Sequence, residues 1–175
     1  MSSAPSAPCL LAAMPNNLAC MSIFAGPWFC PLSMLEEVIG DMGRRWITFT
    51  SYARQADSSV VQHRAAEAAL KIEGARVQAL RAVDAMHEMA VAGRQLDDQA
   101  RVCRVVGDSA KLLRDAIDTL MSIGGANAFA EKSPRQRRWR EAHLATRHAL
   151  PATDSALEIY GHALLGVKGS IGPMV

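Results

Sequence analysis

The fold is decided by residues 58–91, which read SSVVQHRAAEAALKIEGARVQALRAVDAMHEMAV. Apolar residues recur there every three or four positions, and this spacing predicts an amphipathic helix from Ser58 to Val91. A second periodic stretch predicts a helix from Asp97 to Ser122, ended by the glycines at 124 and 125. Each helix would be about 40–50 Å long at its 1.5 Å rise per residue. Because only residues 92–96 join them, the two helices must lie antiparallel.

Shorter helical stretches flank this pair. We predict a helix from Pro31 or Ser33 to Met42, where Ser33 and Glu36 form a capping box. Another is predicted from Pro134 to about Ala149, and a last one from Asp154 to Leu165. The composition favours residues with high helix propensity, and no alternating strand pattern is present. The sequence therefore predicts an all-α, up-down four-helix bundle.

Helix-breaking residues set the expected domain limits. Five prolines interrupt the first 31 residues, so residues 1–30 are predicted to be an irregular N-terminal segment. Residues 31–166 are predicted to form the bundle, and residues 167–175 a tail. The N-terminal segment has no basic residue, and no apolar run approaches the roughly 20 residues of a membrane span. We therefore expect neither a secretory signal nor a membrane anchor, and we expect a cytoplasmic protein.

Charge and cysteine usage exclude several classes of partner. The net charge of +2 is too small to indicate nucleic-acid binding, although residues 1–43 carry three carboxylates and no basic residue. The densest basic run predicts either a solvated helix start or a contact with phosphates of a nucleotide cofactor, and its members are Lys132, Arg135, Arg137, Arg138 and Arg140. Cysteines 9, 20, 30 and 103 form no Cys-x-x-Cys pair, so we expect reduced thiols and no metal site.

The most specific pattern is residues 122–166, SIGGANAFAEKSPRQRRWREAHLATRHALPATDSALEIYGHALLG. A glycine pair is followed by Ser-Pro with the arginine cluster, then Trp139-Arg140-Glu141, a histidine, and a short helix ending near Tyr160-Gly161. This order resembles the C-terminal helical domain of the acyl-CoA dehydrogenase superfamily. It is most similar to the branch of flavin-dependent monooxygenases that hydroxylate aromatic or polyketide substrates. The similarity extends from about Leu32 to Gly166, and nothing resembles the family's middle β domain or N-terminal helical domain.

This resemblance implies how the bundle would be used. In the family the flavin lies between the middle domain and the bundle, and the bundles associate into tetramers. The resemblance thus implies reduced flavin, FAD or FMN, supplied by a separate flavin reductase, and a homo-oligomer, either a dimer or a tetramer. Because 175 residues are too few for a whole enzyme of this kind, we interpret the chain as truncated and expect it to bind flavin weakly or not at all. The alternative is a non-catalytic helical oligomerisation or partner-binding protein derived from the family.

Three residues are implied to bind the cofactor: Arg45, Gly124 and Gly125. The resemblance places an arginine after the first bundle helix against the flavin nucleotide's phosphates, and a guanidinium suits phosphate because it donates two parallel hydrogen bonds. It also implies that the glycine pair lets the backbone approach the pyrophosphate across a subunit interface, which the absence of a Cβ permits. The alternatives are a solvated arginine at a helix C-terminus and an ordinary helix stop.

His148 is the catalytic candidate. In the resembling monooxygenases a histidine after an Arg-Asp pair, here Arg140-Glu141, lies beside the reactive edge of the flavin and handles protons. The alternative is a surface histidine near a helix end. Fatty-acid dehydrogenases of the superfamily place a catalytic glutamate in a Tyr-Glu-Gly setting, and this chain has Tyr160-Gly161 without it. The resemblance therefore favours oxygen activation over dehydrogenation. His143 is expected to be a poor metal partner for His148.

Overall fold

The computed structural model of the protein describes residues 31–92, 97–147 and 153–167. Within these residues there is no β-strand, so the predicted all-α class is confirmed. The helices are α1 (residues 31–42), α2 (Ser59–Ala92), α3 (Asp97–Gly124), α4 (Pro134–Ala145) and α5 (Thr153–Leu165). Two 3-10 helices, Gln55–Asp57 and Ala126–Phe129, lie in the connections. The predicted irregular segment 1–30 falls outside the described residues, as does all but the first residue of the predicted tail.

Helices α2 and α3 form the antiparallel centre of the bundle. Three buried alanines of α2 at seven-residue spacing, Ala68, Ala75 and Ala82, let the backbones approach closely. Among the side chains that the structure describes, two hydrogen bonds connect these helices. Gln78 Nε2 donates to Asp108 Oδ2 at 2.7 Å, and Ser109 Oγ donates to the carbonyl oxygen of Ala75 at 3.4 Å. Small side chains thus set the spacing of the helices, and polar groups between them are satisfied.

Helix α3 is the central helix, since it contacts α2, α4 and α5. Its buried residues Ile117, Leu120 and Met121 have no exposed surface and belong to one core with residues from α1, α2 and α4. The α1 members of this core are Met34, Val38 and Met42, spaced by four residues on one helical face. The end of α1, the end of α3 and the start of α4 meet beside this core, where Arg135 contacts Asp41 and Arg45 contacts Gly124. The candidate site lies at this end.

Two predictions at helix ends need correction. Residues 31–33 are already helical, which agrees with the predicted start at Pro31, so Ser33 lies within α1 and is not its N-cap. Helix α4 ends at Ala145 rather than Ala149, and Thr146, whose φ and ψ are still helical, is its C-cap. The hydroxyl and amide of Thr146 both donate to the carbonyl oxygen of Ala142, at 2.7 and 3.0 Å, and its own carbonyl accepts from Arg114 Nη1 at 2.9 Å. A side chain from α3 therefore takes the acceptor that a longer α4 would have used.

Candidate functional site

Arg45 and Gly124, two of the predicted cofactor residues, are in contact at the C-terminal end of α3. Arg45 lies in the loop after α1, and its Nη1 donates to the carbonyl oxygen of Gly124 at 3.3 Å. From the same connection, Gln55 Nε2 donates to the carbonyl oxygen of Ile123 at 3.2 Å. The last carbonyls of a helix lack partners within it and form the negative end of its dipole, so a cation and an amide stabilise them. This contact brings together residues that are 79 positions apart in the chain.

Each glycine of the pair has its own steric reason. A Cβ on Gly124 would lie 2.7 Å from the Cβ of Ala128, so glycine allows the 3-10 helix to fold back against α3. Gly125 has a φ of 66°, which glycine adopts without strain, and it turns the chain out of the helix. Gly125 is also exposed, and a Cβ there would meet nothing within 4 Å. A ligand can therefore approach the backbone at Gly125, whereas Gly124 is enclosed.

Asp41 connects three arginines at this junction. Its carboxylate accepts from Arg135 Nη2 at 2.6 Å and from Arg44 Nη2 at 3.0 Å, and it lies 3.9 Å from Arg45 Nη1. The hydrogen bond from Arg135, followed by that from Arg44, lowers the pKa of Asp41 from its ordinary value of 3.8. The carboxylate is therefore ionised at neutral pH and helps to orient Arg45.

Two arginines of the basic run attach α4 to α1. Arg138 Nη1 donates to Glu37 Oε1, and Arg135 Nε lies 3.6 Å from Glu37 Oε2. The Arg135 side chain is only 12% exposed, so the expectation of a solvated helix start is wrong for this residue. Its role could not be anticipated because its carboxylate partners lie more than 90 positions earlier in the chain.

The junction carries a surplus of positive charge. Its four arginines, at 44, 45, 135 and 138, face the two carboxylates of Glu37 and Asp41, which leaves two positive charges. Arg45 is 31% exposed beside them. A surplus of guanidinium groups next to an exposed glycine backbone is suited to binding an anion such as a phosphate.

A second polar cluster orders the end of α4. Asp118 Oδ1 accepts from Trp139 Nε1 at 2.7 Å and lies 2.9 Å from His143 Nε2. The Trp139 and His143 rings are packed with centroids 4.7 Å apart, and Arg147 Nη1 contacts His143 Nδ1. Both imidazole nitrogens of His143 are thus in contact with side chains of the protein. The sequence analysis missed this cluster, although the four-residue spacing of Trp139, His143 and Arg147 puts them on one helical face.

His148 lies outside the described residues, directly after Arg147 in the chain. Its predicted catalytic role is therefore untested by the geometry, and it stays a prediction. No group of three or more histidine, cysteine, aspartate or glutamate side chains in the described ranges is arranged to hold a metal ion. No helix in these ranges is long and apolar enough to span a membrane.

Solved structures of other proteins resemble this backbone. XiaF from Streptomyces sp., solved in complex with FADH2 and glycerol, superposes over 91% of this chain and 41% of its own, with a TM-score of 0.84 and 28% identity. The HsaA monooxygenase from M. tuberculosis matches 91% of this chain and 40% of its own, with a TM-score of 0.75 and 25% identity. The chain thus spans less than half the length of these solved relatives.

Sequence comparisons identify relatives of the same kind as the structural superpositions. The oxygenase component of p-hydroxyphenylacetate 3-hydroxylase from Acinetobacter baumannii is 36% identical over 58 residues, which are 33% of this chain and 14% of that protein. The family described as acyl-CoA dehydrogenase, C-terminal domain, matches residues 32–152, a range that holds all but the first residue of α1, all of α2 to α4, and the pair Gly124-Gly125. The match covers well over half of the chain, and the protein therefore belongs to the acyl-CoA dehydrogenase C-terminal domain family.

Proposed function

We propose that this chain acts as the C-terminal domain of a flavin-dependent oxygenase that hydroxylates an aromatic or polycyclic substrate with reduced flavin and O2. The observation that supports this most strongly is the superposition of 91% of the chain on XiaF, whose structure contains FADH2. The similarity to an oxygenase component adds a flavin reductase as the expected partner, because an oxygenase component needs a separate source of reduced flavin. Either FAD or FMN is compatible with the proposal.

The residues at the junction fit the nucleotide part of a flavin. Arg45 uses one of its five N–H donors on Gly124 and is partly exposed, so it retains donors for a phosphate. The exposed backbone at Gly125 would allow a pyrophosphate to lie close to the chain. In this proposal Arg45 holds the phosphate, and Gly124 and Gly125 shape the surface against which it lies. Reduced flavin, when bound, would supply the electrons that activate O2.

The test is a chimera in which residues 31–166 of this chain replace the matching part of XiaF. We expect the chimera to bind FADH2, and we expect Arg45→Gln to weaken that binding about tenfold, because a charge-assisted hydrogen bond contributes roughly 1.5–3 kcal/mol. Arg44→Gln is the matched control, since Arg44 is 76% exposed and pairs with the same Asp41. The measurement is the dissociation constant of FADH2 under anaerobic conditions.

Two outcomes would count against this assignment. Equal losses in Arg45→Gln and Arg44→Gln would mean that general positive charge, rather than Arg45, attracts the flavin. Stoichiometric flavin retained by the unmodified 175-residue chain would refute our expectation that the rest of the relatives' length is needed for binding.

The proposed catalytic role of His148 is tested in the same chimera. We expect His148→Ala to lower the yield of hydroxylated product per O2 consumed by at least about tenfold, as a proton-transfer group contributes roughly 100-fold or more. The affinity for FADH2 should remain unchanged. His63→Ala, an exposed position on α2, is the control. Equal product yields from both variants would make His148 a surface residue.

A non-catalytic role in self-association or partner binding is favoured by a different observation. Several large apolar side chains are largely exposed, and the most exposed are Phe49, Leu165, Leu144, Leu70 and Trp46. Such surfaces tend to be covered by other protein surfaces. We expect a dimer or tetramer at micromolar concentration, measured by light scattering. A stable monomer would contradict this expectation. The non-catalytic role would be favoured if this chain forms an oligomer while the XiaF chimera neither binds FADH2 nor hydroxylates a substrate.

A further inference from the structure

A groove between α3, the end of α4 and the start of α5 lies away from the glycine pair and is not used in the proposed function. Its volume is about 540 Å³, within the range of small-molecule sites. Three cations line it, Lys111, Arg114 and Arg147, together with the carboxylates of Asp115 and Asp154. The lining therefore has one positive charge in excess.

Arg114 is held in a fixed orientation at the centre of this groove. Its Nη1 donates to the carbonyl oxygen of Thr146 and its Nη2 donates to Thr153 Oγ1, both at 2.9 Å. Thr153 Oγ1 in turn donates to the carbonyl oxygen of Gly107 at 3.1 Å, so its only proton is committed. Two of the five guanidinium N–H groups are thus used by the protein. The remaining donors are preorganised for a ligand.

The guanidinium of Arg114 is not paired with a carboxylate of the described residues. No carboxylate among the described residues lies within 4 Å of its guanidinium, whereas the similarly enclosed Arg135 pairs with two. Burial, and then the positive charge of Arg147, lowers the pKa of Arg114 from its ordinary value. Lys111 is bound by Asp115 at 2.8 Å, so it adds little free charge. A bound anion would compensate the charge that remains.

We propose that Arg114 and Arg147, with Lys111 at the rim, bind the carboxylate group of a small organic anion. A carboxylate carries one negative charge, which matches the one excess positive charge of the lining. It also accepts two parallel hydrogen bonds from a guanidinium held in a fixed plane. A doubly charged phosphate would leave negative charge uncompensated beside Asp115 and Asp154. The site can be tested on this chain alone, without flavin.

The test is a titration of the full chain with benzoate, followed by amide NMR, with benzamide as the uncharged analogue of the same shape. We expect saturable shifts near residues 111, 114, 147 and 153 with benzoate and none with benzamide. Arg114→Gln should weaken benzoate binding about tenfold, because it removes a charge-assisted pair. Arg76→Gln, an exposed arginine of α2 paired with Glu73, should leave it unchanged.

A second variant keeps the proposal falsifiable if Arg114→Gln does not fold. Arg147 is exposed, so Arg147→Gln should fold and still weaken benzoate binding severalfold. Benzoate should also raise the melting temperatures of the native chain and of Arg76→Gln, because it binds selectively to the folded state. Non-saturable shifts, equal responses to benzamide, or tighter binding of inorganic phosphate than of benzoate would each overturn the carboxylate site.

Discussion

Replacing Arg135 with methionine is expected to lower the free energy of unfolding by about 2–3 kcal/mol, somewhat less than the roughly 3–5 kcal/mol of a fully buried ion pair. Arg135 is only 12% exposed, and it donates at 2.6 Å to Asp41 and at 3.3 Å to the carbonyl oxygen of Glu37. Methionine fills a similar volume but leaves two carboxylates with fewer partners. Urea denaturation of the native chain and the variant measures the difference.

Arg137→Met is the matched control on the same helix. Arg137 is 75% exposed and pairs with Glu141 four residues later, and such surface pairs contribute little to stability. We expect its substitution to leave the free energy of unfolding nearly unchanged. Equal losses of unfolding free energy in the two variants would mean that the contact between α4 and α1 depends on the total positive charge of α4 rather than on Arg135.

The ion pair between Arg135 and Asp41 also predicts how the stability difference between the native chain and Arg135→Met depends on pH. The pKa of Asp41 is lower in the folded chain than in the unfolded chain, chiefly because of Arg135. A group of this kind stabilises the fold above its unfolded pKa, and the stabilisation is lost as pH falls through the folded value. The difference in free energy of unfolding between the native chain and Arg135→Met should therefore decrease on acidification from about pH 7 to about pH 3. A difference that stays constant with pH would mean that Arg135 stabilises the fold through packing rather than through its charge.

Local signals in the sequence were sufficient for most helix limits. Helix α2 begins at Ser59, next to the predicted Ser58 start, and α5 ends at Leu165 as predicted. These limits depend on residues within one turn of the helix end, such as the glycine at 166, whose φ is 64°. The end of α4 was mispredicted because it depends on Arg114, whose guanidinium binds the Thr146 carbonyl from 32 positions away.

The candidate site was predictable only in part, for the same physical reason. Resemblance pointed to Arg45 and Gly124, and the fold brings them into contact. The Asp118 cluster and the Arg114 groove depend on side chains that meet through the packing of α3 against α4 and α5. No local spacing in the sequence encodes such a contact, because the crossing of two helices decides which of their faces meet.

Replacing Gly107 with alanine is expected to destabilise the protein by about 1–3 kcal/mol and to shift α5, because the added atom has no room. A Cβ at this position would lie 2.5 Å from the Cβ of Ala156 and 3.3 Å from the Cα of Thr153, both in the first turn of α5. Neither atom is at the end of a flexible side chain, so the whole helix must move. The movement would also weaken the bond from Thr153 to the Gly107 carbonyl and loosen Arg114.

Gly74→Ala on α2 separates this steric effect from helix propensity. A Cβ there would meet Leu112 Cδ1 at 3.7 Å, an ordinary contact, so alanine should stabilise the helix by about 0.5–1 kcal/mol. Opposite signs for the two substitutions are the expected result in urea denaturation. Amide exchange in Gly107→Ala should increase first in α5, since that helix packs on α3 through this crossing. If both alanines stabilised the chain, α3 and α5 could not be packed as closely as Gly107 and Ala156 require, and the groove around Arg114 would have a different shape.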